Sequence, residues 1–379
     1  MLPALTAIPV AQWHALAERA IEPNGYYLAD WELAVSASAR GRTDASALAA
    51  WDHPGAGASN APNLTALLPV ISLWQAYRIP LPVLVSADPY GSLGTPMLDR
   101  MSASDSAAAL MNQACKAGAH ALILRDITLD GGTLKAFTSA LAEQHLKPHV
   151  LQSHARACLD ATGDPDQLLR DALGAKKLKE LRRQRNRLAD HGDVVFHAAR
   201  TPDEVAQALE TFLTLEMSGW KGERGTALAQ DAGDAAFIRS ATIALAAHGQ
   251  CEIISLQAGP TPVAAAVVLR HQDRAFYFKL GVDETFAKFS PGVQLTLELT
   301  RHLCADPMIT MADSTANAGH SMIEPIWRGR LAIGDVLIPL RRNDPVIPAM
   351  HAALALRKSI REPMRRAVHF IRKRQEKST

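Results

Sequence analysis

The chain of 379 residues is 48% hydrophobic and 21% charged, enough apolar material for a sizeable core and too ordered a composition for a disordered or fibrous polymer. Its 40 Lys+Arg against 38 Asp+Glu leave a formal charge of +2, so no global field draws it to nucleic acid or to an anionic membrane, and any such role must rest on local clusters. Cys115, Cys158, Cys251 and Cys304 lie far apart without a C-x-x-C pair, which argues against a zinc site or a disulfide framework and for a reducing cytoplasm.

The N-terminal residues lack a basic region, and no apolar run approaches the roughly 18–20 residues of a membrane span. A short lead helix ends near Ala20, Glu22 to Gly25 reads as a turn, and Tyr26 to Ala39 has helical spacing. A Gly- and Pro-rich loop, Asp52 to Asn63, precedes the apolar run LTALLPVISLW, short and rich in Leu, Val and Ile as a buried strand is. A second Pro- and Gly-rich stretch, Pro80 to Pro96, contains Tyr90 and Gly94. Then come a helix over Ala107 to Ala117 ended by Gly118, a strand over Ala119 to Leu124, a helix over Gly132 to Gln144 and a strand over His149 to Cys158. Strands and helices alternate, as in an α/β or α+β chain.

The second half repeats the alternation. Asp166 to Leu188 is a basic helix, Val194 to His197 a strand, and Pro202 to Met217 and Ala235 to Ala247 are helices. Three closely spaced strands, Glu252 to Leu256, Val263 to Leu269 and Ala275 to Leu280, form an antiparallel meander; the loop GVDETFAKFSPG leads to a helix over Val293 to Cys304 and a strand over Met308 to Ala312. A last basic run, Arg357 to Lys377, is expected as a helix after Pro345 and Pro348, a peripheral membrane or partner contact with too few aromatics for a single-strand nucleic-acid platform.

The stretch RAFYFKL into ETFAKFSPGVQLTLELTRHL carries the most chemistry. Pro291 suits the first turn of a helix and Ser290 its cap, so Gly292, Val293 and Gln294 would present backbone N–H groups at the positive helix end, with Lys288 nearby, as an anion site. The plainer reading is that Ser-Pro-Gly only starts a helix. Strand alternation puts Phe276 and Phe278 on one face and Tyr277 and Lys279 on the other, with Lys279 either a contact to donor or acceptor or a rim lysine. Trp220 and Lys221 precede a Gly-Glu-Arg-Gly turn and either line a cleft or anchor the loop.

Three blocks in order, KKLKELRRQRNRLADHGDVVF, FLTLEMSGWKGERGTAL and VAAAVVLRHQDRAFYFKLGVDETFAKFSPGVQLTLELTRHL, resemble the CelD-like, cellulose-biosynthesis-associated branch of the GNAT superfamily of acyl-CoA N-acyltransferases. The first half resembles it more loosely, through YYLADWELA, LLPV and GSLGTPML, and the wider group is similar to Fem-type aminoacyltransferases with two GNAT-like domains in tandem. The resemblance implies a degenerate GNAT-like domain over 1–165, a GNAT acetyltransferase domain over 166–340 and a basic helical tail over 341–379, each domain a mainly antiparallel sheet flanked by helices. It implies acetyl-CoA or another acyl-CoA as co-substrate, held by Lys288, Ser290, Gly292, Val293 and Gln294, with no metal. The departure is that the common phosphate loop has several glycines where this chain has Gly292 alone.

Acylation of an amine needs a base for the ammonium proton. Asp313, His320 and Glu324, close together in ADSTANAGHSMIEPIW, are the candidates, with Asp283 and Glu284 as rivals. The alternative is that Asp313 and Ser314 form a turn through their own side chains and His320 is a surface residue. The absence of G-x-S-x-G favours direct transfer, with Trp220, Lys221, Tyr277 and Lys279 on the substrate side. The acceptor is a small-molecule or glycan-linked amine, and nucleic acid is not expected as a partner. The other readings are an aminoacyl-tRNA-dependent Fem-type transferase and a non-catalytic scaffold of a polysaccharide system.

Overall fold

A computed structural model describes residues 2–41, 44–52, 62–87, 90–357 and 359. The loop expected between Asp52 and Asn63 and the basic run beyond Arg357 fall mostly outside them. The first half comprises α1 (Val10–Glu18), α2 (Ala29–Ser38), β1 (Ser46–Asp52), β2 (Asn63–Ser72), α3 (Leu73–Tyr77), β3 (Val83–Ser86), β4 (Met97–Leu98), α4 (Ala103–Lys116), β5 (Ala121–Thr128), α5 (Gly132–Ala142) and β6 (His149–Asp160). The second comprises α6 (Pro165–Leu188), β7 (Val194–Ala199), α7 (Pro202–Ser218), α8 (Trp220–Glu223), α9 (Ala232–Ala247), β8 (Cys251–Ala258), β9 (Thr261–His271), β10 (Arg274–Val282), α10 (Pro291–Cys304), β11 (Met311–Asp313) and β12 (Gly329–Pro339). A further helix covers residues 346–357.

Local chemistry explains several boundaries. Thr201 and Glu204 make a reciprocal capping box ahead of α7 with Pro202 in its first turn, an arrangement worth about 1 kcal/mol. Gly118 adopts φ +87° after α4, where a residue with a Cβ would be strained. Other boundaries differ from the expectation. Gly174, at φ 72° and ψ 160°, kinks the basic helix that the sequence presents as continuous. Met308 belongs to a turn held by the Asp306 carboxylate, so β11 begins only at Met311. β1, β3 and β12 were not expected; β1, SALAAWD, is mostly alanine and lacks the β-branched signature.

All the strands join one 12-stranded sheet, in the order β1-β2-β3-β5-β12-β6-β11-β10-β9-β8-β7, with β4 off the path beside β2. The architecture is mixed α/β with a mainly antiparallel sheet flanked by helices; β3 with β5 and β10 with β11 are its parallel pairs. Each half gives its last strand to the other. β6 of the first half pairs with β11, while β12 of the second pairs with β5, and β6 and β12 pair with each other at the centre.

The period of two along β9 shows how the layers form. Ala265, Val267 and Leu269 enter one apolar cluster, with α2, α7 and α9, while Ala264, Ala266 and Val268 enter the other, with α6 and α10. The first cluster continues across both halves on one face of the sheet. Burying each Val or Leu of that strand contributes about 1.5–3 kcal/mol, enough to fix the register against a one-residue slip.

Candidate active site at the parting of two parallel strands

β10 and β11 pair from Arg274↔Met311 to Phe276↔Asp313, after which β11 ends and β10 runs on to Val282 with that edge unpaired. The departing chain is held back at the apex. Asp313 Oδ1 accepts from Thr315 N at 2.8 Å, Ser314 Oγ accepts from Ala316 N at 3.3 Å, and the Thr315 hydroxyl donates to the Tyr277 carbonyl at 2.6 Å. Asp313 and Ser314 thus form the turn through their own side chains that the sequence allowed. The result is a wedge between backbones, open beyond Tyr277.

A bulge changes which residues look into the two layers. The β9–β10 register skips Phe278, since Tyr277 faces Val268 and Lys279 faces Val267. Tyr277 stays in the cluster under α10, its hydroxyl 3.3 Å from that of Thr296, and burial pushes its pKa up to about 12. Lys279, one position beyond the bulge, turns instead to the α7 face. The expectation that Tyr277 and Lys279 share a face is therefore corrected, and Tyr277, 6% exposed, is core rather than a substrate contact.

On the α7 face Lys279 Nζ lies 3.1 Å from Glu216 Oε1 and Lys221 Nζ lies 3.4 Å from the same oxygen. Glu216 Oε2 accepts from Leu228 N at 2.9 Å, and Lys221 also donates to the carbonyl of Leu280, on the free part of β10, at 2.8 Å. Two ammonium groups share one carboxylate that is 0% exposed, so the group carries net positive charge in a poorly hydrated setting. Burial lowers the Lys221 pKa, against the opposing pull of Glu216. Gly281 lets α7 come close, since a Cβ there would stand 2.8 Å from Glu216 N. Glu216 was missed by sequence reasoning, although its spacing after Leu209, Phe212 and Leu213 puts a carboxylate into the buried stripe of α7. Trp220, 49% exposed, covers this group from outside, with Arg224 stacked 5.0 Å from its ring and its backbone N–H donating to Glu284 Oε1 at 2.8 Å.

The N-terminus of α10 faces the wedge from the other layer. Ser290 is left-handed at φ 55° and its side chain caps nothing, contrary to expectation; its carbonyl instead accepts the Gln294 N–H at 3.0 Å. Gln294 therefore offers no free N–H, and its side chain donates to Leu181 of α6 at 2.8 Å. Gly292 and Val293 keep N–H groups without an acceptor among the described residues. Gly292 is small for packing, because a Cβ would meet Leu280 at 3.0 Å and Val282 at 3.2 Å. α6 lies alongside, with Lys176, Lys179, Arg182, Arg183 and Arg187 exposed and without an ion-pair partner among the described residues, while Arg185 pairs with Glu298 at 3.0 Å. Lys288 is exposed, its ammonium 4.8 Å from the Phe289 ring.

The proposed bases are scattered. Asp313 is 0% exposed and 3.0 Å from Arg156 Nε, itself 2% exposed. His320 is exposed, and Glu324 accepts from Gly319 N and lies 3.7 Å from Arg330. Asp283 caps the turn after β10, accepting from Thr285 N at 2.9 Å, beside Glu284. Asp283, Glu284, Lys221 and Lys279 are gathered at one end of β10; His320 and Glu324 meet only through the backbone, Glu324 N donating to the His320 carbonyl at 3.2 Å, and Asp313 is paired with Arg156 instead. A cleft of about 1230 Å³ opens at the opposite end of β10 and is lined by Glu18, Glu22, Arg100, His248, Arg270 and Arg274 among others.

Residues 175–318 match the family described as the acetyltransferase (GNAT) domain. No curated protein matches the sequence. Among solved structures the chain is similar to FemX, at 12% identity and a TM-score of 0.57 over 91% of this chain and 98% of that one. It is also similar to L-PGS from Bacillus licheniformis (14% identity, TM-score 0.50, 91% and 95% covered). A conserved protein of unknown function from Bacteroides thetaiotaomicron is a third (12%, 0.52, 89% and 100%). At these identities the likeness is one of fold, and it spans both halves. The GNAT domain supports acyl transfer as the reaction class.

Proposed function

We propose that this chain is an acyl-CoA-dependent N-acyltransferase that passes an acyl group, acetyl first among candidates, directly to an amine. The carrying observation is the wedge where β10 and β11 part, flanked on one side by free N–H groups of α10 beside the cations of α6, and on the other by the net positive Lys221–Glu216–Lys279 group. The first flank suits a diphosphate. The second suits the oxyanion that forms when the amine attacks the thioester carbon. The C–N bond forms, the C–S bond breaks, the thiolate leaves and takes up a proton, and the ammonium proton passes to a carboxylate at the mouth. Asp283 and Glu284 stand there; Asp313, paired with Arg156, is assigned to the framework.

The two halves, 1–165 and 166–340, are read as degenerate and donor-binding GNAT-like domains. The placement in the CelD-like branch and a link to envelope polysaccharide rest on the sequence blocks, and a cytoplasmic setting on the four scattered cysteines. Among the described residues no helix is long and apolar enough to cross a membrane.

A second reading, an aminoacyl-tRNA donor, is favoured by the length of the exposed cationic row on α6, from Lys176 to Arg187, which exceeds what one diphosphate needs. Calorimetric titration with acetyl-CoA, with pantetheine lacking the diphosphate, and with aminoacyl-tRNA separates the two. Diphosphate-dependent binding of acetyl-CoA that is weakened by Lys288→Glu supports the first reading. No binding of acetyl-CoA, together with tRNA binding that falls steeply with salt, replaces it by the second.

A further inference from the structure

The fold brings together three residues that the sequence keeps far apart: His14 on α1, Asp30 in the first turn of α2 and His248 at the C-terminal end of α9. His14 Nε2 is 3.3 Å from Asp30 Oδ2, His248 Nε2 is 3.9 Å from the same oxygen, and one ligand atom from each residue lies within 4.8 Å of the others. The two imidazoles meet edge to face at 4.6 Å and 85°.

These contacts are not hydrogen bonds. His14 Nε2 and Asp30 Oδ2 are both buried atoms without a hydrogen-bond partner among the described residues, close together but not aligned for a hydrogen bond. A ring nitrogen and a carboxylate oxygen left unsatisfied side by side cost free energy unless something else satisfies them. Ligand atoms around a tetrahedral zinc ion, each at about 2.0–2.1 Å, lie about 3.3 Å apart, which is the His14–Asp30 separation. His248 Nε2, on a side chain 48% exposed at the end of a helix, stands 3.9 Å from Asp30 Oδ2, about 0.6 Å beyond that separation.

We propose that His14, Asp30 and His248 bind a divalent transition-metal ion of the zinc class, with three protein ligands and a fourth position open. Two imidazoles and one carboxylate form a borderline donor set that suits Zn²⁺ or Co²⁺ and not Ca²⁺ or Mg²⁺, which prefer oxygen. The ion ties α1 and α2 of the first half to α9 of the second, beside the contact in which Trp31 meets Phe237 at 5.0 Å. His248 also lines the cleft of about 1230 Å³. The open position therefore lies at the rim of that cleft, away from the wedge between β10 and β11, and the site is independent of the proposed transfer chemistry.

The test uses the full-length chain after treatment with chelator, titrated with Zn²⁺ by calorimetry and with Co²⁺ by visible absorption. Expected are one ion per chain, Co²⁺ bands of tetrahedral intensity, and a thermal midpoint that rises with free Zn²⁺. His248→Asn, at an exposed position that the fold does not need, should weaken binding at least tenfold and remove the tetrahedral bands, and Asp30→Asn should do the same. Absence of binding by the wild type, or equal binding by wild type and His248→Asn, overturns the proposal and leaves the trio as a charge cluster only.

Discussion

Replacing Glu216 by Gln removes the single carboxylate shared by Lys221 and Lys279 while keeping an oxygen for the Leu228 N–H. Attraction of unit charges at 3.1 and 3.4 Å would be about 5 kcal/mol each at an effective dielectric of about 20, but most of this offsets the desolvation of the three groups. What the substitution exposes is the imbalance: two ammonium groups face each other beside β10 with no counter-charge. Breaking a buried pair in this way costs about 3–5 kcal/mol, and because the lysine side chains are 21% and 23% exposed, solvent relieves part of it. A loss of about 2–4 kcal/mol is expected, read from the urea midpoint at unchanged slope. Glu216→Gln/Lys221→Met/Lys279→Met, which removes both stranded charges, should regain most of the loss, so the single effects should be strongly non-additive. A Glu216→Gln protein within about 0.5 kcal/mol of wild type, or effects that simply add, would refute the idea that the three act as one unit.

Arg156→Met strands the Asp313 carboxylate at 0% exposure and should cost about 3–5 kcal/mol in the same assay, whereas Arg156→Met/Asp313→Asn should cost clearly less. His271 is held below the ordinary imidazole range by burial; its Nδ1 accepts from Asn24 N at 2.8 Å and its Nε2–H donates to the Ala17 carbonyl at 2.9 Å, so it is neutral when folded. Between the lowered native pKa and about 6.5 the unfolded chain binds the extra proton, so stability should be complete above that range and fall with acidification, by up to about 1.4 kcal/mol per pH unit. Urea midpoints of wild type and His271→Gln across that range check this, with a shallower slope expected for the variant. Gly292→Ala should destabilise by about 1 kcal/mol, the low end of overpacking, because the added methyl meets only side-chain ends, Leu280 at 3.0 Å and Val282 at 3.2 Å; if thermal melting shows no change, the packing role assigned to Gly292 fails.

What the chain shows on its own is what neighbours a few residues apart decide. The Thr201–Glu204 cap, the apolar stripe of α7, the stop at Gly118 and the alternation in β9 can be read directly, because each depends on backbone geometry within one turn or one pleat. So could the general character of the loop before α10 and the turn made by Asp313 and Ser314. The bulge at Phe278 could not, since it exists only in the register between β9 and β10, and it moves Lys279 to the opposite layer from the one alternation assigns. Nor could the exchange of β6 and β12, which replaces local pairing by contacts between strands about half the chain apart. Tertiary structure alone brings Glu216 to Lys221 and Lys279, Arg156 to Asp313, and His14 to Asp30 and His248. Charged and lone-pair groups carry no period, and whether such a group is satisfied depends on which distant element packing sets against it.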